Sequence, residues 1–148
     1  ISEESSILPG LDGRKMSKSY QNTIPLFLPS KKLRKLVMKI KTNSLEPGEP
    51  KSTKDCALFD IYKGVASKKE ALAFKKKLEE GMAWGKAKEE LFTYIDQLFA
   101  KPREDYLRLT QEPMHLQKLL TEGADKAREI SLPYIKEIKE AVGIKSLS

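Results

Sequence analysis

Apolar residues recur at helical spacing through most of the chain beyond residue 30. Leu33, Leu36, Val37 and Ile40 stand at i, i+3, i+4 and i+7, with Ser30 placed to cap the helix they predict. "CALFDIYKGV" reads as a short helix ending near Gly64. Ser67 and Glu70 have the spacing of a capping box, and Ala71, Phe74 and Leu78 follow on one face. Behind Trp84, which Gly81 and Gly85 flank, a longer period runs through Ala87, Leu91, Tyr94, Ile95 and Leu98. Pro102 should break or kink that helix, because proline lacks the backbone donor and clashes with the preceding turn. "REDYLRL" then continues helically, a further stretch carries Leu116, Leu119 and Leu120, and a last one runs from Ala127 through Ile130, Tyr134 and Ile138 to Gly143, with a kink or break at Pro133.

No period-two run stands out after residue 30, so residues 30–148 read as a compact all-α domain. Within it, "NSLEPGEPKSTKD" has the composition of a polar linker. Residues 1–29 differ: breaks at Pro9-Gly10, Asp12-Gly13, Pro25 and Pro29 leave only short apolar pieces, the fringe of something else. The first residue is Ile1, and the expectation is a piece of a longer protein.

Charge changes the picture. The chain of 148 residues carries a net charge of +7, and from Gly13 to Lys41 it holds nine Lys/Arg and no Asp/Glu. Such a field attracts phosphate at long range, although a lysine-rich solubility device has the same composition. On the first helix Lys32, Lys35 and Lys39 form a stripe away from the apolar one, a candidate contact for RNA or a solvated face. A single cysteine, Cys56, excludes an internal disulfide and suits a reducing compartment. No stretch reaches the ~20 apolar residues of a membrane span, and no membrane association is expected.

Little conventional chemistry is available. One cysteine and one histidine, His115, cannot build a tetrahedral zinc site, and no catalytic triad can be assembled. The pairs Glu79-Glu80, Glu89-Glu90 and Glu104-Asp105 lie on lysine-rich helical faces and read as surface charge. Gly10 and Gly13 stand too close together for a Walker loop, and arginine follows the second. What remains is "KMSKS", Lys15 to Ser19. Two ammonium groups on flexible stems suit a phosphate tail on which charge is building, serine hydroxyls add short-range donors, and Met16 is a pliant apolar anchor.

"PGLDGRKMSKSYQNTIPLF" resembles the signature loop of the class I aminoacyl-tRNA synthetases. With "KIKTNSLEPGEPK" downstream and "LLTEGADKAREI" and "IKEAVGI" near the end, the resemblance is to the tryptophanyl branch, with the tyrosyl enzymes as close relatives. It implies a helical-bundle C-terminal domain that recognises the tRNA anticodon region over residues 30–148, preceded by a loop segment over 1–29 from the edge of a Rossmann-like catalytic domain that this sequence does not include.

The same resemblance implies roles. Lys15 and Lys18 would steady the triphosphate and the departing pyrophosphate, with Ser17 and Ser19 as polar contacts and Met16 as the apolar anchor. Ile7 or Leu8 would correspond to a residue lining the adenine site. ATP with its Mg2+, tryptophan and the tRNA for tryptophan are the implied cofactor, substrate and partner, in a cytoplasmic enzyme that is a homodimer when intact. This chain alone would be inactive, with Gly10 to Asn22 mobile for want of a surface to close on, and its own oligomeric state is left open. Two readings remain beside this one: a stand-alone basic RNA-binding module, and a helical surface for protein interaction.

Overall fold

The computed structural model describes residues 7–144, and among these there are six α-helices and no strand. They are α1 (Ser30–Val37), α2 (Ala57–Val65), α3 (Lys68–Glu79), α4 (Trp84–Leu98), α5 (Ala100–Gln111) and α6 (Pro113–Ala141). The all-α expectation holds. The chain divides into two compact units, with the division between Arg103 and Glu104 inside α5.

Most of the apolar positions read from α1, α3 and α4 lie in the core of the first unit, although Leu98 at the end of α4 is exposed. Leu33 and Val37 of α1, Leu58 and Ile61 of α2, Phe74 and Leu78 of α3, and Ala87, Leu91 and Ile95 of α4 are all buried in one cluster. Helix α1 packs on α4, and α2 packs on both α3 and α4. Tyr62 stacks on Phe74 with ring centroids 4.1 Å apart and meets Tyr94 at 5.2 Å, so aromatic contacts join three helices at the centre. Within this unit the apolar stripes of α1–α4 bury one another, which is where helical stability in a globular domain chiefly arises. The apolar positions of α6, such as Leu120, Ile130 and Tyr134, are exposed.

The helix ends show where local rules won and lost. Ser67 accepts from the Glu70 N–H while the Glu70 carboxylate accepts from the Ser67 N–H, completing the capping box at the start of α3. The same carboxylate accepts from the Tyr94 hydroxyl at 3.1 Å, tying the start of α3 to α4. Ser30 departs from expectation: Pro29 occupies the cap position, and Ser30 is the first helical residue. Its hydroxyl donates instead to Asp96 Oδ2 at 3.0 Å, while Arg103 approaches the other oxygen of that carboxylate at 2.8 Å. One residue inside the cap position, the Ser30 hydroxyl cannot cap and donates to a charged acceptor instead.

Pro102 lies in the first turn of α5, after a break at Phe99 (φ −103°, ψ 8°), so it starts a helix more than it kinks one. In the second unit the two predicted C-terminal stretches are one helix, α6, 29 residues long with Pro133 inside it. Between the two stretches Gly123 is the weakest helix former, at a cost of about 1 kcal/mol, too little to end a helix.

The presumed linker is also folded. Lys51 is only 1% exposed; its ammonium donates to the carbonyls of Glu46 and Glu49, each at 2.9 Å, and lies 5.6 Å from the centre of the Trp84 ring. The Trp84 indole N–H donates to Asn43 Oδ1 at 2.8 Å. Gly81, at φ +92°, brings its backbone so close to Gly48 that a Cβ there would lie 2.6 Å from the Gly48 carbonyl. Prolines and glycines in this segment shape a packed turn.

Replacing Phe74 by alanine should remove the centre of the first unit and lower its unfolding free energy by roughly 3–5 kcal/mol, read from urea denaturation. A loss below about 1 kcal/mol would show that the stacked rings do not carry the core.

Candidate functional site: the loop from Leu8 to Asn22

Residues 8–16 form a short hairpin. Pro9 and Lys15 make an antiparallel bridge, the Gly10 N–H donates to the Arg14 carbonyl at 2.7 Å, and the Met16 N–H donates to the Leu8 carbonyl at 2.8 Å. Asp12 turns the chain: its Oδ1 accepts from the Arg14 N–H at 3.1 Å, an Asx turn, and Gly13 follows at φ +84°. The Arg14 guanidinium then folds back on the same carboxylate, with Nε and Nη2 each 2.7 Å away from Oδ2, and lies 4.6 Å over the Tyr20 ring. Residues Lys18–Tyr20 make one 3-10 turn, which Gln21 ends at φ 52°.

Asn22 closes the loop. Only 3% exposed, it accepts from the Ser17 N–H at 2.8 Å and donates to Asp12 Oδ1 at 2.7 Å and to the Lys15 carbonyl at 3.2 Å. Its own carbonyl accepts from the Leu11 N–H at 3.0 Å, and the Leu11 carbonyl accepts from Lys41, just beyond α1, at 2.8 Å. Leu11 and Met16 pack against the core. The loop expected to be mobile is, in this structure, closed around one side chain and hydrogen-bonded to Lys41 beyond α1.

This arrangement sorts the three cations of the loop. Arg14 is spent on Asp12, whereas Lys15 and Lys18 are exposed and take part in no ion pair among the described residues. Two free ammonium groups stand on a braced backbone and can accept an anion. Ser17 and Ser19 hydroxyls lie 2.8 Å apart, and Met16 faces inward as an anchor. Ile7 falls elsewhere: 64% exposed, it lines an open groove of about 760 Å³ with Leu8, Phe59, Lys63, Gly64 and Leu72, and neither loop lysine borders that groove.

The sequence reading missed Asp12 and Asn22. A buried loop amide has no local signature; the one signal was an acid, Asp12, at the head of a cationic stretch. Asn22, then Arg14, hold the Asp12 carboxyl down at about 2, below its ordinary 3.8. The paired carboxylates are surface charge: Glu89 meets Arg34, Glu90 meets Lys77 at 2.7 Å, and Glu79 and Glu80 meet Lys75 and Lys76 at 3.6 and 3.7 Å. Among the described residues no three of His, Cys, Asp or Glu gather as a metal site.

Residues 2–100 match the family described as tRNA synthetases class I (W and Y). The chain belongs to that family. A tryptophan–tRNA ligase of Pseudomonas aeruginosa is 48% identical over 147 residues, 99% of this chain and 33% of that protein. One from Neisseria meningitidis is 47% identical over 99% of this chain and 44% of its own length. The crystal structure of tryptophanyl-tRNA synthetase from Campylobacter jejuni complexed with ADP and tryptophane superposes with a TM-score of 0.84 at 36% identity, covering 96% of this chain and 45% of that one. Relative to these family members the chain spans a third to a little under half of the length.

Because the Asp12 carboxyl is depressed, its bonds are fully present above pH 4 and are lost as pH falls toward 2. The side-chain amide resonances of Asn22 should titrate with a midpoint near 2 and become pH-independent in Asp12→Asn. A midpoint at the ordinary 3.8 would mean that the loop is open in solution.

Proposed function

We propose that this chain supplies the ATP-contacting loop and the tRNA-binding helical domain of a ligase that joins tryptophan to its tRNA. The free ammonium groups of Lys15 and Lys18 on a braced loop carry this reading, supported by relatives of 42–48% identity that bear that activity's name. These favour tryptophan over the tyrosine that the family also covers.

In the first step the tryptophan carboxylate attacks the α-phosphate of ATP, the bond to the β-phosphate breaks, and pyrophosphate leaves. Charge builds on the leaving oxygens, and Lys15 and Lys18 approach it without first breaking an ion pair. Ser17 and Ser19 offer hydroxyls beside them, and Met16 keeps the loop anchored while its polar face meets the nucleotide. Magnesium, carried by the nucleotide's own phosphates, would neutralise further phosphate charge. The activated tryptophan then passes to the terminal ribose of the tRNA. Tryptophan binding and the contacts of a cytoplasmic homodimer fall to the catalytic domain, so this chain alone should not aminoacylate.

The RNA side of the proposal rests on α1. Lys32, Lys35 and Lys39 are exposed and outside any ion pair among the described residues, whereas Arg34 between them is held by Glu89. Lys32 and Lys35 on α1, with Lys39 in the turn just beyond its end, are charges left free that fit a phosphate backbone.

In the full-length enzyme Lys18→Ala should lower kcat for ATP–pyrophosphate exchange on the order of 100- to 1000-fold while ATP affinity changes far less. Equal losses in both would contradict a transition-state role. Replacing Lys32, Lys35 and Lys39 together by alanine should flatten the log–log salt dependence of tRNA binding by about 2 to 3. An unchanged slope would mark the stripe as a solvated face.

A further inference from the structure

We infer that Asn22 is the positioning residue of the lysine-bearing loop: its buried amide fixes the backbone of Lys15 and Ser17, and through them where Lys15 and Lys18 present their charge. The inference rests on the ATP-loop reading and adds to it a residue that touches neither nucleotide nor tryptophan.

Every polar atom of the Asn22 side chain is used. Oδ1 accepts from Ser17 N–H (2.8 Å); Nδ2 gives one hydrogen to Asp12 Oδ1 (2.7 Å) and the other to the Lys15 carbonyl (3.2 Å). These partners lie on both sides of Met16, so the side chain clamps the stretch from Lys15 to Ser17. Lys18 then sits in a closed ring. The ring starts at Ser17, which is bonded to the Asn22 side chain, passes through the 3-10 turn, and returns to Asn22 across Gln21 in the left-handed region.

The chemistry demands an amide. An aspartate would offer acceptors to two groups, the Asp12 carboxylate and the Lys15 carbonyl, that also only accept. A leucine would leave the Ser17 N–H without its partner. Space is fitted as well: a Cβ on Gly10 would lie 2.3 Å from Asn22 Cγ and 2.4 Å from Nδ2, so Gly10 is small because the amide fills that volume. The site therefore has a donor-acceptor pattern and a shape that asparagine meets.

The experiment is a double-mutant cycle in the full-length enzyme, read as kcat and KM for ATP in pyrophosphate exchange. Asn22→Asp and Asn22→Ala should each lower kcat roughly 100-fold, the scale of misplacing a reacting group by about 1 Å, with KM for ATP changed less than about threefold. In Asn22→Ala, adding Lys15→Ala should cost little more, because a lysine already displaced has little left to lose. Gly10→Ala pushes on the same amide and on the Asn22 backbone carbonyl, 2.6 Å from the new Cβ, and should reproduce both the loss and the non-additivity, so a poorly folding Asn22 variant does not end the test. If the Asn22 and Lys15 losses multiply, or if Asn22→Ala leaves kcat intact while Lys15→Ala lowers it, the positioning role is overturned and the ATP-loop reading stands. If Lys15→Ala and Lys18→Ala both leave kcat unchanged, the ATP-loop reading falls and takes this one with it.

Discussion

Burial of the α1 stripe against α4 is the contact on which the rest of the first unit hangs. Leu33 and Val37 are fully enclosed, and Ile40 continues the line for one turn past the helix. The residue after Ile40 is Lys41, whose backbone N–H holds the Leu11 carbonyl, and Leu11 in turn holds Asn22. A hydrophobic seam thus sets the position of a hydrogen-bonded loop through two intermediate residues. The order matters physically. Apolar burial is strong but non-directional, whereas hydrogen bonds are directional but weak in net terms, so the seam supplies the energy and the loop bonds supply the aim.

The second theme is how charge is allotted. The chain has 28 basic and 21 acidic residues, and along α3 and α4 they meet as surface pairs. Such exposed pairs add little stability each, but they cancel field locally. Between Gly13 and Lys41 that cancellation is almost withheld: Arg14 and Arg34 find carboxylates from outside the stretch, while Lys15, Lys18, Lys32, Lys35 and Lys39 do not. The arginines, whose planar forks match a carboxylate, act as structural groups. The lysines, compact charges on flexible stems, are left for solvent or a ligand.

How much of this could be read from the sequence follows from the range of each interaction. Apolar periodicity reports one helix face at a time, and Leu33, Val37, Phe74, Leu78, Leu91 and Ile95 are buried as their spacing predicted. The Ser67–Glu70 box closes within four residues and was equally legible. The same periodicity misled where no neighbour covers the stripe, since Leu98 and, on α6, Leu120, Ile130, Tyr134 and Ile138 are exposed. Other failures came where a polar group met a partner far along the chain. Ser30 turned to Asp96, Trp84 to Asn43, and Asn22 reached back to Asp12. Lys51 shows the extreme case: composition places a lysine in a Pro/Gly-rich stretch outside, and the carbonyls of Glu46 and Glu49, with the Trp84 ring near the ammonium, make its burial tolerable. For the loop, the pentamer gave Lys15 and Lys18, and what braces them had no local mark.

That buried lysine has an optical consequence. Trp84 is the sole tryptophan of the chain; its indole N–H is bonded to Asn43 and an ammonium lies near its ring. The excited indole shifts charge across its two rings, so a fixed cation beside them tunes the emission colour. Intrinsic fluorescence therefore watches the packing of residues 43–51 on α4. The protein carries a native dye at the seam between a folded turn and a helix, needing no label to announce when that seam opens.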